Sequence, residues 1–277
     1  MPSGVNGSAS HVASAKINLT LHVTGQRDDG YHLLDSLVCF ASVGDVVSVS
    51  MADEPSFAVT GPMAAGVPMD QSNLVLQAAA LMGAGPLSIK LEKHLPAAAG
   101  IGGGSADAAA TLRAIADASG LNVPDDLQSL GADVPVCMFD QAVRMQGVGE
   151  RITPVPSLPD VHAVLVNPRI DVPTPAVFNA LQSKSNPAMD GVGRFATVRE
   201  LVEWLKLQRN DLQAPAIEAF PVVADALSAL DTSAFAAMSG SGATCYGIFE
   251  TAGNAADAAN AIAQKYPDWW VQACQFR

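Results

Sequence analysis

Between Pro96 and Ala110 the chain reads Pro96-Ala97-Ala98-Ala99-Gly100-Ile101-Gly102-Gly103-Gly104-Ser105-Ala106-Asp107-Ala108-Ala109-Ala110, a glycine run that closes directly on an alanine-rich stretch. That stretch predicts a helix from Ala106 to about Ser119. Without side chains at 100, 102, 103 and 104, backbone N–H groups can come close to an anion, and a helix starting there turns its positive dipole end to the same place. The run therefore reads as a phosphate site, with a merely flexible glycine loop as the alternative. It is not a Walker A loop, because no Gly-Lys-Ser/Thr occurs in the chain, and it misses the dinucleotide fingerprint, because Ser105 stands where the third glycine belongs. Ser105 would add a hydroxyl donor near the phosphates and is a candidate magnesium ligand.

Around this run the periodicities are mixed. Residues 17–23 alternate strictly, with Ile17, Leu19, Leu21 and Val23 on one face and Lys16, Asn18, Thr20 and His22 on the other, which predicts a half-buried strand. Further strands are expected over Leu33–Phe40, Val47–Met51, Leu87–Leu91, Val143–Thr153, Val161–Val166, Ala234–Met238, Thr244–Phe249 and Trp269–Phe276. Helices are expected from Asn73 to about Met82 under a Ser72 cap, from about Pro124, after a Thr174 cap with Pro175, from the Thr197–Glu200 capping box, around Pro215–Phe220 and Val222–Leu230, and over Ala252–Lys265. Strands and helices do not alternate as regular βα units, so the fold class is α+β and not doubly wound. The proline-rich segment Thr153–Pro159 is the best linker.

The 277 residues suffice for one large or two medium domains with a sizeable core, and 15 basic against 27 acidic residues leave a formal net charge of −12. Such a chain is a poor candidate for binding a nucleic-acid backbone. Half its residues are apolar, which excludes intrinsic disorder. Cys39, Cys137, Cys245 and Cys274 form no CxxC pair and read as buried free thiols in a reducing compartment. The first residues lack the basic and apolar regions of a signal peptide, and no window is apolar enough to span a membrane, so a soluble cytoplasmic protein is expected.

Four smaller features could carry chemistry, each with a plainer reading beside it. Asp133, in Gly131-Ala132-Asp133-Val134-Pro135, is a turn or cap residue unless it works on a substrate. Lys16 and Asn18 on a polar strand face would ordinarily be solvated. Ser239-Gly240-Ser241-Gly242-Ala243 would ordinarily be a hairpin turn. Tyr31, His32 and Phe178 could stack a nucleobase or belong to the core.

Together these elements are far more specific. Ala15-Lys16-Ile17-Asn18-Leu19, the glycine run and Ser239–Ala243 stand in the order and spacing of the three motifs of the GHMP kinase superfamily, which the chain resembles over nearly its whole length. Gly30-Tyr31-His32-Leu33-Leu34-Asp35-Ser36, Gly131–Pro135 and Pro173-Thr174-Pro175 narrow the resemblance to the branch acting on a cytidine-diphosphate-linked methylerythritol, in non-mevalonate isoprenoid synthesis. The resemblance implies a two-domain GHMP kinase fold, with an N-terminal ATP-binding domain over 1–155, a ferredoxin-like C-terminal domain over 156–277, and the active site between them. It implies ATP with magnesium as cofactors, no nucleic-acid or membrane partner, and a monomer or weak homodimer. Asp133 and Lys16 match the catalytic aspartate and lysine. Pro96 through Ala106 match the phosphate loop, while Asn73 and Lys93 match positions near the adenine. Asn18, Tyr31, His32 and Phe178 match positions that hold the acceptor, the aromatics sandwiching cytosine; Thr174, Gly240, Ser241 and Asp133 complete the acceptor side.

Two departures stand out. Ser14 replaces a frequent proline, and Asp107 replaces the asparagine of many members. An extra carboxylate near phosphates is unfavourable unless magnesium or the helix N-terminus compensates. The alternatives are another small-molecule kinase of the superfamily, of homoserine or mevalonate type, or a nucleotide-binding module without chemistry.

Overall fold

A computed structural model describes residues 7–277. The first six residues, on which the reading of the N-terminus partly rests, lie outside the described residues. The chain forms two compact units. The first contains residues 7–15, 43–97 and 102–138; the second contains 16–42, 98–101 and 139–277. Compactness thus groups the chain differently from a linear division at residue 155, because both units take strands from the N-terminal third.

The first unit is built on the first part of β1 (Ser8–Asn18), the second half of β3 (His32–Met51), β4 (Ser56–Thr60) and β5 (Leu87–Glu92). β3 and β5 are antiparallel, Val46 opposite Glu92 and Met51 opposite Leu87, while β4 runs parallel to β5. Over them lie α1 (Leu74–Met82) and α2 (Gly103–Ser119), packed on each other, with the single turn α3 (Val134–Cys137) against α2. The alanines of α2 are mostly buried, which lets it approach its neighbours closely.

The second unit holds β2 (His22–Gln26) and the first half of β3, paired antiparallel, with the hairpin β6 (Val143–Gly147) and β7 (Arg151–Pro154) on the other edge of β3. Its remainder runs β8 (Val161–Asn167), α4 (Thr174–Asn179), α5 (Val198–Leu205), α6 (Gln213–Ala219), α7 (Val222–Ser228), β9 (Phe235–Met238), β10 (Cys245–Phe249), α8 (Ala252–Lys265) and β11 (Trp270–Phe276). The strands lie side by side in the order β11-β8-β10-β9, all antiparallel. A βαββαβ path with its first strand between the fourth and third is the ferredoxin-like arrangement. Val164, Val166, Val223, Ala226, Leu230 and Ile262 fill the layer between this sheet and its helices.

Several expectations change in detail. The strand expected over 17–23 is divided: β1 ends at Asn18 and β2 begins at His22. Its polar face is not solvated, since Lys16, Asn18, Thr20 and His22 are all buried. The Thr20 hydroxyl takes the Leu37 N–H at 2.8 Å, a bond that a regular ladder would give to backbone. The strands expected over 33–40 and 47–51 are one continuous β3. Asn73, not Ser72, caps α1 by accepting from Val75 N–H, because Ser72 is already bonded to Asp70 through both hydroxyl and N–H. No helix forms at Pro124, where Leu127 is the one buried side chain in 121–130 and no apolar face exists to hold a helix down. The strand expected over 143–153 is the β6–β7 hairpin, turned where Gly147 enters the left-handed region at φ 73°. Thr174 is the first residue of α4 and not its cap; Pro173 precedes it. The four cysteines are free; burial raises the thiol pKa values of Cys39 and Cys245 and pushes that of Cys274 up to about 12.

Candidate active site

In the first unit the glycine run ends on the first turn of α2. The helix starts at Gly103, three residues earlier than its alanines suggest, behind Gly102 in the left-handed conformation (φ 64°). No side chain caps it, and no acidic residue occupies its first turn. The leading N–H groups of a helix have no partners within it, so this end is a ready anion site. Asn73 caps α1 and also donates to Pro68 O at 2.8 Å. Asp133 stands immediately before α3, half-buried, and does not cap that turn.

Lys93 lies deeper than its sequence context suggests. It is 5% exposed, and its ammonium donates to Asp107 at 2.8 Å and to Asp45, both of them buried carboxylates. Burial alone would depress the Lys93 pKa; the two carboxylates outweigh it and raise the value above the ordinary lysine one. Burial, opposed by Lys93 and aided by the like charge of Asp45, pushes the Asp107 carboxyl up to about 7. The second oxygen of Asp107 is buried with no hydrogen-bond partner among the described residues.

In the second unit, residues 98–101 of the glycine run meet the turn at 239–242 backbone against backbone. A Cβ on Gly100 (φ 70°) would lie 2.6 Å from the carbonyl oxygens of Ser239 and Gly242, so position 100 admits only glycine. The Ser239 hydroxyl donates to Gly100 O and accepts from Asn18 N–H, both at 3.0 Å. Lys16 N–H donates to Ile101 O at 2.9 Å, which places β1 beside the same segment, with the Lys16 side chain buried. The Asn18 amide donates to the Ser36 hydroxyl at 2.8 Å, and its carbonyl oxygen is buried without a partner among the described residues. The Thr174 and Ser241 hydroxyls bond each other at 2.8 Å.

The structure thus joins Lys16, Asn18, Gly100, Ser239 and Gly240 in one constellation and Thr174 with Ser241 in another. His32 and Phe178 stack with centroids 4.6 Å apart and an interplanar angle of 27°. Tyr31 is 62% exposed and takes no part in that stack. Burial, then the charge of Lys184, lowers the His32 pKa.

Among the described residues no group of three His, Cys, Asp or Glu gathers as a cage. Magnesium ordinarily keeps waters and binds phosphates with few protein ligands, which fits a single hydroxyl, Ser105, at the open end of α2.

Four residues of these networks, Asp45, Asp35, Arg144 and Asn210, carry no candidate role in the motifs. Asp45 was legible: it alternates with buried Val47 and Val49 on β3, and continuing the β3–β5 register one step sets it opposite Lys93. The pair Asp35–Arg144 joins strands of distant sequence and gives no such signal. Asn210, whose amide holds Met238 O at 2.8 Å and Gly240 O at 2.9 Å, had none either.

Known proteins resemble this chain over nearly its whole length. The GHMP kinases N terminal domain family matches residues 73–147, and the GHMP kinases C terminal family matches 186–268. The chain is 56% identical over 263 residues to a 4-diphosphocytidyl-2-C-methyl-D-erythritol kinase of Dinoroseobacter shibae, covering 94% of this chain and 92% of that protein. It is 55% identical to the protein of the same name from Ruegeria pomeroyi, covering 93% and 95%. Among solved structures, a 4-(cytidine 5'-diphospho)-2C-methyl-D-erythritol kinase superposes with a TM-score of 0.78 at 31% identity, over 97% of this chain and 99% of that one. A homoserine kinase from Cytophaga hutchinsonii superposes at 0.66 with 16% identity, over 99% of this chain and 96% of that one, a likeness of fold alone. No helix among the described residues is long and apolar enough to cross a membrane.

Proposed function

The chain belongs to the 4-diphosphocytidyl-2-C-methyl-D-erythritol kinases of the GHMP family, and from that membership we propose how its residues share the work. ATP is the phosphoryl donor and the acceptor is the 2-hydroxyl of 4-(cytidine 5'-diphospho)-2-C-methyl-D-erythritol. The observation that carries this reading is the uncapped first turn of α2 behind Gly102, at the foot of the glycine run. Its leading N–H groups, within the run from Pro96 to Ala106, hold the nucleotide's phosphates; Asn73 and Lys93 belong to the nucleotide side.

Asp133 takes the proton of the acceptor hydroxyl as the new O–P bond forms and the bond from the transferred phosphorus to ADP breaks. Lys16 offsets charge on the transferring phosphoryl group. Its burial supports that role, since a desolvated ammonium acts more strongly than one in water. Magnesium, held by Ser105 and the phosphates, supplies further charge neutralisation when bound. On the acceptor side, the unpartnered Asn18 oxygen can accept a hydroxyl, and the hydroxyls of Thr174 and Ser241 with the Gly240 backbone can meet phosphate or sugar oxygens. Phe178 and His32 already form half a stack, to which the exposed Tyr31 adds the other face for cytosine.

With this division of labour, residues 1–155 serve ATP and 156–277 carry the ferredoxin-like domain. The protein acts in the cytoplasm on small molecules, as a monomer or weak homodimer. ADP release is the direct test. It should be rapid with cytidine-diphospho-methylerythritol and negligible with homoserine or mevalonate; binding without ADP release would reduce the protein to a nucleotide-binding module. Asp133→Ala and Lys16→Ala should each lower kcat by about 10²–10⁴, and near-normal turnover in either variant would sink the assigned roles.

A further inference from the structure

We propose that Asp45, Lys93 and Asp107 form an ionic staple across the base of the glycine loop, and that Lys93 serves ATP by fixing the phosphate-binding turn of α2 without touching the nucleotide. The inference rests on the reading of that loop as the phosphate site.

The loop leaves β5 after Glu92 and returns as α2. At its entry Asp45 accepts the N–H groups of His94 (2.5 Å) and Leu95 (2.8 Å) with one oxygen and the Lys93 ammonium with the other. At its exit the same ammonium reaches Asp107 on α2 at 2.8 Å. One carboxylate and one ammonium therefore tie the two ends of the loop together. The Lys93 backbone is pinned as well, donating to Thr60 O at 2.7 Å and accepting from Met63 N–H at 3.1 Å. A Cβ on Gly103 would lie 3.8 Å from Lys93 Nζ and 3.9 Å from the Leu95 side chain, so the staple lies directly beneath the first turn of α2.

The three side chains are almost fully withdrawn from water: none is more than 6% exposed. Taking ions out of water is expensive, and apolar residues of the same volume often stabilise a fold as well or better. What an ionic contact adds is placement, because a hydrogen-bonded cluster is satisfied at one geometry only. A phosphate site built from backbone N–H groups depends on that kind of placement, having no flexible side chain to take up an error. Asparagine at position 107 keeps an oxygen for Lys93 and removes the like charge that Asp107 sets beside Asp45.

Steady-state kinetics on the full-length enzyme tests this. Lys93→Met should raise KM for ATP about tenfold, with KM for the alcohol acceptor unchanged, kcat nearly so, and the preference for ATP over GTP intact. An unchanged KM for ATP would make the cluster merely structural, and a lost ATP preference would put Lys93 on the base; either overturns the proposal. Asp107→Ala is the companion variant, since it leaves Lys93 matched one-to-one with Asp45 and spares the fold. It should raise KM for ATP in the same way, and Asp107→Asn should restore it. Equal KM values in the alanine and asparagine variants would also overturn the staple. Hydrogen exchange on the unmodified enzyme separates the underlying reading: if ATP does not slow exchange at the amides of Gly103–Ser105, the loop is not the phosphate site at all.

Discussion

Each compact unit buries one ionic cluster, and the two are built on different chemistry. In the first, the Lys93 ammonium is shared by Asp45 and Asp107, with two carboxylates for one cation and almost no contact with water. In the second, the Arg144 guanidinium grips Asp35 with two parallel bonds of 2.8 and 2.6 Å and also donates to Met189 O at 2.7 Å. Asp35 in turn accepts Met189 N–H at 3.0 Å, so the pair moors the irregular segment between α4 and α5 to β3. The charges there balance, and the Arg144 side chain keeps 21% of its surface in contact with solvent. A point charge holds several partners in one place, whereas a planar fork fixes one partner's orientation. The first cluster is over-supplied with negative charge and the second is not, and that difference predicts how each one fails.

Lys93→Met removes the cation between two enclosed carboxylates. It should cost about 3–5 kcal/mol of stability, read as a lower urea midpoint, and a loss below 1 kcal/mol would erase the contrast. Asp35→Ala leaves Arg144 able to turn toward water and orphans chiefly the Met189 N–H. Its cost should be smaller, about 1–3 kcal/mol.

The third test is pH. The Asp107 carboxyl is raised from 3.8 to about 7, so between those values the folded state holds a proton that the unfolded state has released. Stability therefore falls as pH rises through that window, by no more than about 1.4 kcal/mol per unit. Asp107→Asn should flatten the slope; an equal slope in that variant would place its origin elsewhere. The smallest effect belongs to Arg144→Lys, which keeps the charge but cannot span both Asp35 oxygens and Met189 O. It should lose about 1 kcal/mol, and an unchanged melting temperature would show that the fork adds nothing over a point charge.

Much of this was readable beforehand because it is local. The hydroxyl half of the capping box at Thr197 forms, with Glu200 N–H on the Thr197 hydroxyl at 3.2 Å, while the Glu200 carboxylate accepts from Ala196 N–H at 2.9 Å, one residue before the cap; all these partners are local in the chain. The strands of the ferredoxin-like part fall within a residue or so of expectation, because each alternates or runs apolar between clear turns. Elsewhere, amphipathic reasoning failed where both faces of an element are covered: the polar face of residues 16–22 is as buried as the apolar one. Lys93, too, reads as a nucleotide-side residue by position, and only its depth shows the ammonium committed to two carboxylates.

Sequence alone determined the α+β class and the family, because these follow from periodicity and from motifs a few residues long. Tertiary structure decided which atoms meet. Gly100 must be glycine because a backbone 140 residues away lies within 2.6 Å of its missing Cβ. Asp107 is tolerated in the interior because Lys93, just past the end of β5, donates to it at 2.8 Å. Contacts between residues far apart in the chain depend on how the strands and helices pack, and a single sequence carries no record of that distance.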